Sequence, residues 1–171
     1  KFYEGDVFYN GISLKRHYNV LKNIIGYVPQ EDIVFENLTL KKMLYYTAKM
    51  KMPDNTSMQE IEDRIQEVLR LIELTEHQNT MIKNLSGGQK KRASIAVELL
   101  ADPGMFFLDE PTSGLDPGTE QKLMRVLNRL SKTQGKTIVM VTHNTQSLDL
   151  CDKIIFMGKK GRLAFMGTPE E

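Results

Sequence analysis

Two short stretches hold the residues with the clearest chemical potential: Leu85-Ser86-Gly87-Gly88-Gln89 and Met105-Phe106-Phe107-Leu108-Asp109-Glu110. Ser86 and Gln89 have capping-box spacing, so a helix is expected to begin there. A helix start offers free N–H groups and a partial positive charge, which suit a phosphate. Gly87 and Gly88 place no side chain in the way of a ligand approaching the backbone. Lys90, Lys91 and Arg92 crowd the same positive helix end, a local repulsion that an arriving anion would relieve. Asp109 and Glu110 follow four apolar residues and precede Pro111. A carboxylate at a strand end suits Mg²⁺, a hard cation that takes oxygen ligands and keeps several waters. The next carboxylate, Glu110, points elsewhere and can polarise an attacking water, a general-base role typically worth ~10²–10⁴ in rate.

Three apolar runs have to position these groups. Ile24 to Val28 leads to Gln30, Met105 to Leu108 leads to Asp109 and Glu110, and Thr137 to Val141 leads to Thr142 and His143. In open parallel sheets, ligands bind beyond the carboxyl ends of the strands. If the three runs are parallel strands, Gln30, the acidic pair and His143 meet at one edge. His143 would there contact a terminal phosphate and hold the attacking water. Around these runs the sequence predicts a short hairpin over 7–14, turning at Asn10-Gly11. A helix follows from Thr39 to Pro53, with Leu40, Met43, Leu44 and Ala48 on one face. A second runs from Ser57 to Leu74, with Ile61, Ile65, Val68, Leu69 and Ile72 as its stripe. The helix that starts near Ser86 continues over 92–100, and another spans 118–132 with Leu123, Val126, Leu127 and Leu130 inward. The runs 105–108 and 137–141 read as strands buried on both faces. Two further buried strands are expected over 153–157 and 162–166, joined through Gly158–Gly161. Alternating strands and helices predict an α/β domain with a largely parallel sheet.

The 171 residues carry a formal net charge of +1, with 40% hydrophobic and 26% charged residues, ordinary values for a globular domain. That balance by itself neither requires nor excludes nucleic acid. The single cysteine, Cys151, has no internal disulfide partner. No apolar run approaches the ~18–20 residues needed to cross a bilayer. Lys1, Glu4 and Asp6 speak against a signal peptide. Both ends look like cuts through a longer chain. No Gly-x-x-x-x-Gly-Lys-Ser/Thr phosphate loop occurs anywhere. Gly135-Lys136-Thr137 has its last three letters, but Leu130 stands where the first glycine belongs. The triplet also follows a helix and precedes a strand, the reverse of a phosphate loop's setting. Gly135 is expected to end a helix.

These stretches resemble the motifs of ATP-binding-cassette (ABC) transporter ATPases, in family order and over nearly the whole chain. Gly26-Tyr27-Val28-Pro29-Gln30 resembles the Q-loop, Leu85 to Gln89 the signature, and Phe106 to Glu110 the Walker B strand. Ser113-Gly114-Leu115-Asp116 resembles the D-loop, and His143 the switch histidine. The wording is most similar to the G-type branch that includes the white-pigment transporter and bacterial permease fusions. The resemblance implies a P-loop-NTPase-like α/β fold, N-terminally truncated. Residues 1–37 and 101–171 would form the sheet segments, and 38–100 an inserted helical subdomain that includes the signature helix. It implies ATP and Mg²⁺, with Asp109 and Gln30 at the metal and Glu110 and His143 catalytic. It implies a head-to-tail dimer with a second ABC ATPase domain, in which Ser86, Gly87, Gly88 and Gln89 act on the partner's nucleotide and Asp116 lies at the interface. A transmembrane permease would dock on the helical insert, holding the domain at the cytoplasmic side of a membrane and powering export. No nucleic-acid partner is expected. The departure is the missing adenine-stacking aromatic and phosphate loop, from which this chain alone is expected to bind ATP poorly and not turn it over. The rival readings are an ABC ATPase that moves no solute, and a non-catalytic remnant. A DNA-repair member would need a long coiled-coil insertion between Gln30 and Leu85, which is absent.

Overall fold

A computed structural model describes residues 5–171; Lys1 and Glu4 lie outside them. The central element is a parallel sheet of three strands in the order β3 (Ile25–Val28), β4 (Met105–Asp109), β5 (Thr137–Val141). Its register sets Gly26 beside Phe106 and Ile138, and Val28 beside Leu108 and Met140. These residues share one face, where Val28, Phe106 and Leu108 are buried in the main core. Gly26 permits that packing: a β-carbon there would lie 3.1 Å from the Phe106 ring and from Pro103.

The expectation that 105–108 and 137–141 are covered on both faces does not hold. Met105 and Phe107 are only half-buried, and Thr137, Val139 and Val141 are exposed. Helices pack on one face of the sheet, and among the described residues no element covers the other.

The helical layer contains α2 (Leu40–Lys51), α3 (Met58–Leu71) and α4 (Gly87–Leu99). Thr39 caps α2, and Ser57 with Glu60 makes a full capping box on α3, which satisfies amide donors left free at a helix start. Every apolar residue assigned to the two stripes is buried. The second helix is shorter than expected because Glu73 adopts a left-handed φ of 56°. The Leu74 amide then bonds back to the Leu69 carbonyl at 2.9 Å, closing the helix before Leu74. Short 3₁₀ turns at Thr75–His77 and Ile82–Asn84 lead into α4. Backbone bonds from Leu40 to Thr80 and from Ile82 to Leu38 lace the layer's two ends together.

Helix α5 (Pro117–Gln134) lies between β4 and β5 in sequence, with Leu123, Val126, Leu127 and Leu130 buried. It ends at Gly135, whose φ of 62° is left-handed, so the Gly-Lys-Thr triplet is a helix stop. The hairpin near the start is present as β1 (Phe8–Tyr9) and β2 (Ile12–Ser13), turning at Asn10 and Gly11, both with positive φ. Directly after it comes a helix that the sequence reading missed, α1 (Leu14–Leu21), kinked at His17. It is only eight residues long and buries only Leu21, shorter than the window over which helical periodicity is read. Among the described residues, the last two strands, β6 (Ile154–Met157) and β7 (Leu163–Gly167), pair only with each other, antiparallel. The expectation that they are buried also fails: Ile155, Phe156, Met157, Leu163 and Met166 are exposed. No described helix is long and apolar enough to cross a membrane.

Candidate functional site

The carboxyl ends of β3, β4 and β5 meet at one edge, and the three sequence-expected groups meet with them. Gln30 Nε2 donates to Glu110 Oε2 at 3.5 Å. His143 Nδ1 lies 3.1 Å from the same oxygen. Glu110 is therefore the hub. Its backbone explains why: φ is +42°, in the left-handed region, which a non-glycine residue enters only when its surroundings hold it there. The Glu110 amide bonds to the Val141 carbonyl at 2.9 Å, and its carbonyl accepts from the Ser113 amide at 3.1 Å. The chain thus leaves β4 by turning sharply, which directs the carboxylate towards the neighbouring strand ends.

Asp109, still on the strand, lies on the uncovered face. Tyr27, two register positions earlier on β3, donates its hydroxyl to Asp109 Oδ2 at 3.4 Å. Sequence reasoning missed Tyr27, although strand alternation places it on the same face as Asp109. His143 is exposed, and so is Gln30, so both remain accessible to a ligand.

The signature segment folds as its spacing indicates. Ser86 Oγ accepts from the Gln89 amide at 3.4 Å, and Gln89 Oε1 accepts from the Ser86 amide at 2.9 Å. Gln89 Nε2 also lies 2.9 Å from His77 Nε2, a contact across twelve residues that no sequence pattern signals. Gly87 is exposed, with only Leu115 nearby at 3.8 Å from a notional β-carbon. Gly88 is different. It is buried, and a β-carbon would stand 2.1 Å from Thr119 Cγ2. Open access for a ligand is thus a property of Gly87, whereas Gly88 makes room for the start of α5.

The expected crowding of Lys90, Lys91 and Arg92 is already relieved inside the chain. Lys90 pairs with Glu36 at 2.8 Å, Lys91 with Asp32 at 2.8 Å, and Arg92 lies 3.9 Å from Glu73. No anion is needed to neutralise Lys90 or Lys91, whereas the buried Arg92 Nε has no hydrogen-bond partner among the described residues. The acids lie far off in sequence, and spacing along one helix could not reveal them.

Asp116 caps α5, accepting from the Gly118 and Thr119 amides at 3.1 Å each. Thr119, through its side chain and then its backbone, holds the Asp116 carboxyl below the usual carboxylate range. One turn into the same helix, Glu120 is buried. It accepts from Asn144 Nδ2 at 2.5 Å and from Ser147 Oγ at 3.5 Å. The loop that begins at His143 is thereby fastened to the helix that begins at Asp116. Glu120 was not singled out from sequence, because on an amphipathic helix an acid reads as solvent-facing.

The family model described as ABC transporter matches residues 1–113. The chain belongs to the ABC transporter family. It is 39% identical over 168 residues to the ABC transporter ATP-binding/permease protein Rv1747 of Mycobacterium tuberculosis, covering 98% of this chain and 19% of that protein. Against protein white of Drosophila melanogaster the identity is 39% over 154 residues, covering 85% of this chain and 22% of that one. Against the bovine broad substrate specificity ATP-binding cassette transporter ABCG2 it is 36%, covering 98% and 26%. The chain therefore spans about a fifth to a quarter of the length of these relatives. Among solved structures, cbiO1 from Clostridium perfringens, part of the ABC transporter complex cbiONQ, superposes with a TM-score of 0.86 at 28% identity. That match covers 98% of this chain and 67% of that one. The fold is that of an ABC ATPase, a P-loop-NTPase-like α/β domain, and the G-type branch is among its relatives.

Proposed function

We propose that this chain is a large part of the ATP-hydrolysing domain of an ABC transporter, and that the edge formed by β3, β4 and β5 is its catalytic edge. The observation that carries this reading is the convergence of Gln30 and His143 on the Glu110 carboxylate. Glu110 acts as the general base that takes a proton from the attacking water, and His143 orients that water against the terminal phosphate. Asp109 and the Gln30 side-chain oxygen would hold Mg²⁺. The donor set fits: both offer hard oxygen atoms. Among the described residues no group of three or more His, Cys, Asp or Glu side chains forms a self-sufficient metal cage. Mg²⁺ usually takes one or two protein ligands and completes its shell with waters and substrate phosphates. When bound, Mg²⁺ supplies charge neutralisation at the phosphates.

The helix start at Ser86, Gly87, Gly88 and Gln89, with Asp116, serves the nucleotide of a second ABC ATPase domain in a head-to-tail dimer. Residues 38–100 form the helical subdomain on which a permease docks, leaving the domain at the cytoplasmic side of a membrane, and the transport is export. Relatives named as ATP-binding/permease proteins support the permease partner. Residues 1–171 contain no Gly-x-x-x-x-Gly-Lys-Ser/Thr segment, whose amides and lysine provide the main grip on a triphosphate. These residues by themselves bind ATP weakly and do not turn it over.

The test is Glu110→Gln in the intact transporter. Turnover should fall by about 10²–10⁴, while nucleotide binding persists. Turnover near the wild-type rate would remove Glu110 from the role of base.

A further inference from the structure

Lys91 occupies an inward position on α4, where Gly88 and Ile95 are also buried, and is only 5% exposed. A lysine is rarely buried unless its charge is paired. Its Nζ donates to the Gln30 backbone carbonyl at 2.6 Å and lies 2.8 Å from Asp32 Oδ1. Gln30 in turn reaches Glu110 through its side chain. The signature helix is thus tied, one turn after its first residue, to the backbone of the residue that contacts the proposed base. Neither neighbour does this: Lys90 goes to Glu36 and Arg92 towards Glu73. An apolar side chain would fill the same space without desolvating a charge. What the ammonium adds is a directed link between two elements that otherwise meet by non-directional packing.

We propose that Lys91 is a positioning residue for ATP hydrolysis: it fixes the Gln30 backbone relative to the signature helix, and thereby sets where the Gln30 side chain meets Glu110. This rests on the ATPase reading given above. Lys91 touches neither nucleotide nor water itself. Its loss misplaces Gln30 during turnover.

The experiment measures kcat and KM for MgATP in the intact transporter carrying Lys91→Met, Lys91→Arg or Asp32→Asn. Lys91→Met keeps much of the stem's volume and removes the charge. The expected result is a kcat lowered about tenfold or more with KM within about twofold, the signature of an interaction that matters in the transition state. Lys91→Arg should recover part of that loss. Asp32→Asn should lower kcat less, and should add little in the Lys91→Met background because the two act as one unit. A Lys91→Met enzyme with wild-type kcat overturns the proposal, as does an equal collapse of both Lys91 variants with a raised KM. If Lys91→Met does not accumulate, Asp32→Asn carries the test: a severalfold lower kcat at constant KM supports the link, and an unchanged kcat overturns it. A wild-type transporter without ATP turnover would sink the enzymatic reading itself, and this role with it.

Discussion

The helical layer and the β6–β7 hairpin are both rich in apolar residues, yet they treat them oppositely. In α2, α3 and α4 the residues Leu44, Ile65, Leu69 and Ala96 are fully buried. In the hairpin, Ile155, Met157, Leu163 and Met166 remain more than half exposed. The difference does not lie in composition. A helix in a bundle finds its partner surface among its near neighbours in sequence, as α2 and α3 do. A strand pair must be covered by something brought from elsewhere in the chain or the assembly. The sheet shows both conditions in one element, for it is packed against helices on the Phe106 and Leu108 side and open on the Val139 and Val141 side.

The sharpest way to break this comparison is to cut into the helical side. Ile65→Ala should destabilise the fold by about 2–5 kcal/mol, the range for a buried aliphatic truncation, read from the denaturant midpoint. A loss below ~1 kcal/mol would mean that the layer is far looser than its burial implies. At the junction between helices and sheet, Asp116 gives an intermediate, pH-tuned effect. Its folded carboxyl titrates below the usual carboxylate value because Thr119 and the Gly118 amide favour the charged form. The sign follows from linkage. Its contribution is complete above the unfolded carboxylate pKa and disappears as pH falls through the depressed folded value. Asp116→Asn should therefore flatten the acid limb of a stability–pH profile and leave the profile near neutrality little changed in shape. An unaltered acid limb would show that the cap contributes nothing. Smallest of all, Met157→Thr on the exposed hairpin should move the unfolding midpoint by no more than about 0.5 kcal/mol. A loss as large as that at Ile65 would mean that the hairpin face is covered in solution, and the contrast between the regions would disappear.

How much was legible beforehand follows the same division. The helical stripes could be read because periodicity and burial coincide within one continuous segment. The edge that gathers Gln30, Glu110 and His143 could be read because each residue ends an apolar run, and parallel strands align such ends. What escaped was everything fixed by contacts across long sequence distances. Lys91 reads as one of three surface cations until Asp32 and the Gln30 carbonyl are brought to it. Glu120 reads as solvent-facing until Asn144 arrives. Gly88 reads as clearance for a ligand until Thr119 is placed against it. The hairpin misled for the converse reason, since apolar strands announce an appetite for cover without saying whether it is met. Helix α1 escaped because its eight residues are too few for periodicity to stand out.

The left-handed turn at Glu110 has a consequence for how this site can be lost. A side chain at that φ costs roughly 1–2 kcal/mol of backbone strain, which glycine would not incur. Folding and the proposed chemistry therefore pull in opposite directions at this one position. A lineage released from hydrolysis could relax its backbone by discarding the acid, so decay of the enzyme here would be accompanied by a gain in robustness.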